Sequence, residues 1–447
     1  MAPLMYNAVL LLGLLQLVRG SRVLELSDRF LDVKKDGQWL IMFYAPWCGH
    51  CKRLEPVWGH VAQSLYNTNI RVGRVDCTRF TSMATKFGVT GFPTIMFLKG
   101  DEATHTYHGD RTKEEIINFA MRVSGPPVQP ITRSESLDHL KANNPLFFVY
   151  VGEYEGPLWE TYYQVAEMFQ PHGFFYSVSQ DIARKHVRLK EPPEIFVHKE
   201  KTHYFFEEGE MSVGGLNASL SEWVNNERFS TFVKVTRTNI DQLMRTNKFL
   251  VLAVVQENKL QEVPEEMIEF RDMIESVIMN NRDRYHKWFQ FGWVGSPELA
   301  NSIAMTELPL PYLLVVNSTT EHHHMPDDEP HRLTPAAIHL FLQAVLNQSA
   351  PTYGGNTLPV RLYRRYFEAR SSLSEMWRGN PVLTAVLFGL PLGFLSLICY
   401  SICCADIMDA DDEEEEGAGS EETFFIEEAT NDSKTQSKSN EMHEKKE

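Results

Sequence analysis

Only six cysteines occur in 447 residues, and three of them, Cys399, Cys403 and Cys404, fall in one apolar run near the C-terminus. So sparse a set excludes a disulfide-stapled scaffold, which needs an even, dense framework of cysteines. The pair Cys48 and Cys51 has no second Cys-x-x-Cys near it and no Cys/His pair at ligand spacing. A structural zinc site with His50 as third ligand therefore lacks its fourth, and no metal is expected. Also missing is a basic stripe interleaved with aromatics, the footprint of a nucleic-acid face, so no nucleic-acid partner is expected. The formal net charge of -16 is concentrated in residues 406–447, which hold sixteen acids against four lysines and leave the rest of the chain near neutrality. So charged a tail buries no core and is expected to be disordered.

Two apolar runs stand out. The first, Ala8 to Val18, is too short to span a bilayer and reads as a secretory signal over residues 1–20, cleaved after Gly20, although no Lys or Arg precedes it. The second, Val382 to Ala405, carries no charge over 24 residues; as a helix it covers about 36 Å, more than the ~30 Å hydrocarbon core. Arg361, Arg364, Arg365, Arg370 and Arg378 precede this span and acids follow it, opposite to the positive-inside bias. A cleaved signal commits the long N-terminal part to translocation regardless, so a single-pass type I topology is expected, with the acidic tail cytosolic. The sequons at Asn217, Asn317 and Asn347, all before the span, are the glycosylation candidates. Cys403 and Cys404, at the cytosolic edge, are candidates for palmitoylation.

The chemistry sits near the N-terminus. Trp39 to Ala45 is an apolar run of strand length. It is followed by Pro46-Trp47-Cys48-Gly49-His50-Cys51-Lys52, then by Leu54, Val57, Val61, Ala62 and Leu65 at helical spacing. A helix beginning at the cysteines puts Cys48 at its N-terminus, where free amide N–H groups and the macrodipole favour a thiolate. Cys48 is the expected nucleophile. Cys51, one turn deeper, is placed to attack a mixed disulfide and release its partner. His50 is placed to add positive charge or to donate a hydrogen bond to the Cys48 sulfur. Cys77 is expected to be a buried small hydrophobe rather than a third redox thiol.

Phe43 through Lys52 resembles the active site of the protein disulfide isomerases, within the thioredoxin superfamily. The segments Gly91-Phe92-Pro93-Thr94 and Tyr107 to Thr112 follow as they do in that family. The resemblance implies a cis Pro93 against the sulfurs and a catalytic Arg111 that approaches the resolving thiol. One position departs from the pattern. Six residues before Cys48 the family keeps a buried carboxylate that takes the proton of the resolving thiol, and this sequence has Met42, with Arg74 in the place of that carboxylate's basic partner. Arg74 is then expected to reach outward or pair elsewhere, and turnover to be slow.

The pattern returns twice without cysteines. Residues 21–125 read as a catalytic thioredoxin domain, and 126–230 and 231–350 as cysteine-free thioredoxin-like domains. A juxtamembrane linker (351–381), the span (382–405) and the tail (406–447) follow. In the third copy, Phe289, Phe291 and Trp293 alternate as in a half-buried strand and are expected to be core rather than a peptide site. His322-His323-His324 is expected to be a solvated loop. The fold class is thus α/β: three tandem thioredoxin-like domains, one transmembrane helix and a disordered tail. This order resembles the thioredoxin-related transmembrane subgroup of the family. That likeness implies an oxidoreductase of the endoplasmic reticulum membrane, catalytic domain in the lumen, without cofactor, forming or rearranging disulfides in unfolded or partly oxidised secretory and membrane proteins. The alternative is a membrane-tethered chaperone or adaptor with little turnover.

Overall fold

The computed structural model describes residues 22–100, 103–207, 215–258, 260, 262–328 and 333–411. The expected signal and most of the tail lie outside the described residues. The chain divides into two compact units, Met1–Glu368 and Ala369–Glu447.

The first unit contains three sheets of one design. The longer elements of the first are β1 (Leu24–Leu26), β2 (Gln38–Tyr44), α1 (Gly49–Leu65), β3 (Ile70–Asp76), β4 (Thr94–Lys99), β5 (Ala103–Thr106) and α2 (Lys113–Ser124). Its strand order is β1-β3-β2-β4-β5, parallel among the first three and antiparallel beyond. Central β2 reads as a continuous apolar run because helices cover both its faces. Leu40 and Met42 pack with Trp58, Val61 and Phe119, while Trp39, Ile41 and Phe43 pack with Phe30 and Met83 on the other side.

The second sheet comprises β6 (Gln129–Ile131), α3 (Ser134–Asn143), β7 (Leu146–Val151), α4 (Pro157–Phe169), β8 (Phe175–Val178), β9 (Glu194–Lys199), β10 (Thr202–Phe205) and α5 (Gly215–Glu227), in the equivalent order β6-β8-β7-β9-β10. The third comprises β11 (Phe232–Lys234), β12 (Phe249–Val254), α6 (Glu265–Asn280), β13 (Phe289–Val294), β14 (Tyr312–Asn317), β15 (His322–His324), α7 (Pro335–Leu346) and β16 (Tyr353–Gly354), in the order β11-β13-β12-β14-β15-β16. A cis X-Pro bond precedes the antiparallel strand in each: Phe92–Pro93, Pro192–Pro193 and Leu310–Pro311.

Three details differ from the sequence expectation. His322-His323-His324 is a strand, not a solvated loop: it pairs with β14 and with β16, and His323 and His324 are buried. The pairing partner, Tyr353, arrives from thirty residues away, which no local turn signal reveals. Phe289 and Phe291 are core, as expected, but β13 is buried on both faces rather than one. The third difference lies in the second unit.

A charged cluster joins the second and third sheets. The Glu227 carboxylate accepts from Lys199 Nζ at 3.1 Å, Arg282 Nη2 at 2.7 Å and His286 Nε2 at 2.6 Å, while Lys248 Nζ donates to the His286 carbonyl at 2.7 Å. Burying one carboxylate among several cations is tolerable because each charge is hydrogen-bonded; removing the central one strands the rest.

Helix α8 (Leu358–Gly379) bridges the two units in sequence, and α9 (Pro381–Asp411) follows. Within α9, Pro381–Ile402 is long and apolar enough to cross a membrane. The tail was expected to lose structure from Asp406, but α9 continues to Asp411. A helix already formed propagates at little cost, which carries it into the first acids.

Candidate active site

The apolar strand β2 ends at Tyr44, and Ala45-Pro46-Trp47 turns the chain into α1. Cys48 is the N-cap of α1, in extended conformation, and its sulfur accepts the Cys51 amide N–H at 3.3 Å. The residue type thus fills the capping position that Ser or Asp usually takes, with sulfur in place of oxygen. The Cys48 thiol also lies 3.6 Å from the Phe92 carbonyl oxygen, next to cis Pro93. Cys51 falls on the buried stripe of α1 with Leu54, Trp58, Val61 and Leu65, and both cysteines are free thiols.

Position separates the two thiols electrically. Burial works against ionisation of Cys48, but the Cys51 thiol, the amide N–H groups of Cys51 and His50, and the Arg111 guanidinium together hold its pKa below that of an ordinary thiol. Burial and the hydrogen bond given to Cys48 push Cys51 up to about 11. The first thiol therefore ionises more readily than an ordinary thiol, and its neighbour less readily. Cys77, also buried, is pushed up to about 11 by burial and sits 3.7 Å from the Val75 carbonyl oxygen.

His50 does not take the role expected of its imidazole. It is exposed, and Nδ1 faces Arg53 Nη2 at 2.9 Å. A guanidinium only donates, so in that contact the ring nitrogen is the acceptor. What His50 gives to Cys48 is its backbone amide.

Met42 is buried, in the core cluster with Leu54 and Trp58. Arg74, its cross-strand neighbour, turns outward to Glu25 and Glu55 and lies over the Tyr44 ring. The two surface carboxylates thus pair with the cation that Met42 cannot hold.

Arg111 donates from Nη2 to the Pro93 carbonyl oxygen at 3.3 Å. Its loop is held from outside the first domain, which sequence reasoning missed. Thr238 Oγ1 donates to Asp110 Oδ1 at 2.6 Å and Gln242 Nε2 to the His108 carbonyl at 2.9 Å. Partners 128 and 134 residues away leave no local signal. Far from the site, Asn217 and Asn347 are exposed, and Asn317 is half-buried with its Oδ1 accepting the Thr319 and Thr320 amides. Cys403 and Cys404 lie on the backbone of α9, with side chains outside the described residues. Among the described residues there is no cluster of three or more His, Cys, Asp or Glu able to hold a metal.

The Thioredoxin family matches residues 25–122, and the family described as Thioredoxin-like domain matches residues 152–344. Protein disulfide-isomerase TMX3 of Xenopus laevis is 38% identical over 393 residues, covering 87% of this chain and 84% of that protein. The Homo sapiens protein of the same name is 35% identical over 384 residues, covering 86% and 82%. Among solved structures, zinc-bound human ERp44 is similar over 73% of this chain and 92% of its own, at 14% identity and a TM-score of 0.33, too slight a likeness to bear on how the domains are arranged. At 38% identity along most of both lengths, the chain belongs to the protein disulfide-isomerase family and is a membrane thiol-disulfide oxidoreductase.

Proposed function

We propose that Cys48 is the attacking thiol and Cys51 the resolving thiol, with Pro93 and Arg111 shaping the site, in a chain anchored type I in the endoplasmic reticulum membrane with its thioredoxin-like domains in the lumen. The Cys48 thiolate attacks one sulfur of a client disulfide; a Cys48–client disulfide forms and the other client sulfur leaves as a thiolate that takes up a proton. Cys51 then loses its proton and attacks the Cys48 sulfur. The Cys48–Cys51 disulfide forms, the second client thiolate departs, and the client has gained the two electrons the enzyme has lost. Run backward, the same steps oxidise a client dithiol.

The observation that carries this proposal is the contrast within the pair: Cys48 caps α1 with its thiol pKa lowered, while Cys51 is buried and held protonated. Clients are unfolded or partly oxidised secretory and membrane proteins, and residues 21–125, 126–230 and 231–350 act as one catalytic and two cysteine-free domains. One observation favours the second reading, a client-binding adaptor with little turnover: the position that would relay the Cys51 proton is buried, apolar Met42. Wild type and Cys48→Ser are to be compared for turnover of a reduced or scrambled model substrate and for client capture. Turnover that disappears with Cys48 supports the enzyme. Negligible wild-type turnover with capture unchanged by the substitution supports the adaptor.

A further inference from the structure

Helix α8 has no buried residue along its 22 positions, although it carries Leu358, Leu362, Tyr363, Tyr366, Leu373, Met376 and Trp377. At ~100° per residue, Leu358, Leu362, Tyr366, Ala369, Leu373, Met376 and Trp377 fall within an arc of about 100°. The residues bonded to the third domain lie on the far side of the helix. Arg364 donates from Nη1 to Glu321 Oε2 at 3.0 Å and from Nη2 to the Gly355 carbonyl, and Ser302 donates to Glu368. The segment Leu358–Glu368 is therefore attached through its polar side, and the apolar residues of the arc are exposed. Arg365 and Arg370 flank the apolar arc on opposite sides, the positions from which long cationic side chains reach phosphate while their stems cover apolar surface.

One residue, Asn380, separates α8 from the spanning segment, and it stands before Pro381, a setting that disfavours helical backbone and lets the chain change direction. Asn380 Oδ1 accepts the Leu383 amide, capping the new helix.

We propose that α8 lies in the head-group layer of the membrane leaflet nearest the thioredoxin-like domains, its Leu362–Tyr366–Leu373–Trp377 stripe in the acyl boundary and Arg365 and Arg370 on lipid phosphates. The occupant of the stripe is lipid rather than protein because α8 runs directly into the span, because arginines flank the stripe, and because Tyr and Trp are the residues of a membrane interface. Placement on this leaflet also gives Arg365 and Arg370, which sit on the wrong side for the positive-inside bias, a reason to be there. The proposal rests on the segment Pro381–Ile402 crossing the membrane.

The test uses the full chain, one copy per nanodisc of phosphatidylcholine and phosphatidylserine, photolabelled with a small apolar diazirine dissolved in the bilayer and mapped by mass spectrometry. Labels at Leu362, Tyr366, Leu373 and Trp377, but not at Arg365, Ser372 or Glu375, are expected, together with labels through α9. Tyr366→Glu with Leu373→Glu should remove most of the α8 labelling and leave that of α9 unchanged. Labelled α9 beside unlabelled α8, or labelling of all faces of α8 alike, overturns the proposal while the span stands. An unlabelled α9 overturns the span and the proposal together. Labels on α8 that persist in the double variant also overturn it, since the stripe would not be what contacts lipid.

Discussion

The first and second domains share a strand order and a cis X-Pro bond ahead of the antiparallel strand, yet they differ where the central strand meets the following helix. In the first, β2 leads through Ala45-Pro46-Trp47 to Cys48, whose side chain caps α1. In the second, β7 leads through residues 152–156 to Gly156, at φ +89°, with no side-chain cap, and Pro157 opens α4. The platform is therefore common, and thiol chemistry is added by one capping residue and one buried partner a turn later. The second domain uses its polar residues differently, placing Lys199 and Glu227 in a buried joint with the third.

The largest expected effect comes from making the first domain resemble the second. Cys48→Ser keeps a capping side chain, so the fold should hold, while the hydroxyl is far too weak an acid to exchange with disulfides. Turnover should fall by at least ~1,000-fold with the thermal midpoint nearly unchanged. A retained rate would place the chemistry elsewhere.

The converse substitution acts on the joint. Glu227→Gln leaves Lys199 and Arg282 buried without their counter-charge and should cost about 3 kcal/mol, measured by denaturant unfolding, while Cys48 alkylation stays as in wild type. The joint also gives a pH dependence. Burial lowers His286 to about 4, from 6.5, and the cations around Glu227 hold its carboxyl well below the usual range. In both cases the unfolded chain binds more protons than the folded one. Stability should therefore decline as pH falls from 6.5 toward 4, and further below the usual carboxylate range. Glu227→Gln should flatten the lower part of that decline.

Met42→Glu puts a carboxylate at the buried position six residues before Cys48. Resolution of a trapped mixed disulfide should become about tenfold faster, with a stability loss of about 2 kcal/mol for burying the acid. An unchanged rate would mean that proton removal from Cys51 does not limit turnover. A smaller effect is expected for Arg111→Gln. It removes one of several groups favouring the Cys48 thiolate, so the pH profile of alkylation should move upward while the fold persists. Thr238→Val, which frees Asp110 on the same loop, should move the profile in the same direction by less.

Much of this was legible in sequence because the signals were local. An apolar run, a Pro-Trp turn and a helical stripe require only the neighbouring residues Trp39 to Leu65 to place the cap at Cys48. The outward turn of Arg74 followed from the cost of burying a cation beside methionine, although its partners Glu25 and Glu55 did not. What sequence left out is long-range or geometrical. His322 to His324 form a strand lying between β14 and the returning Tyr353–Gly354. The loop carrying Arg111 is held by Thr238 and Gln242 of another domain, and the Glu227 joint collects its partners from two separate segments, Lys199 from one and Arg282 with His286 from the other. His50 turns to Arg53 because exposed side chains on a helix meet their neighbours three residues on, a contact that spacing allows but does not choose.

The asymmetry between the two sulfurs is tested most directly by competitive alkylation of the reduced, full-length protein at limiting iodoacetamide, across pH 5 to about 10, with each cysteine quantified by mass spectrometry. Cys48 should be modified first at every pH, with a rate that levels off below the pH where an ordinary thiol does so, while Cys51 and Cys77 stay unmodified at neutral pH. Equal rates for Cys48 and Cys51, or a Cys48 profile no different from that of a free thiol, would contradict the account.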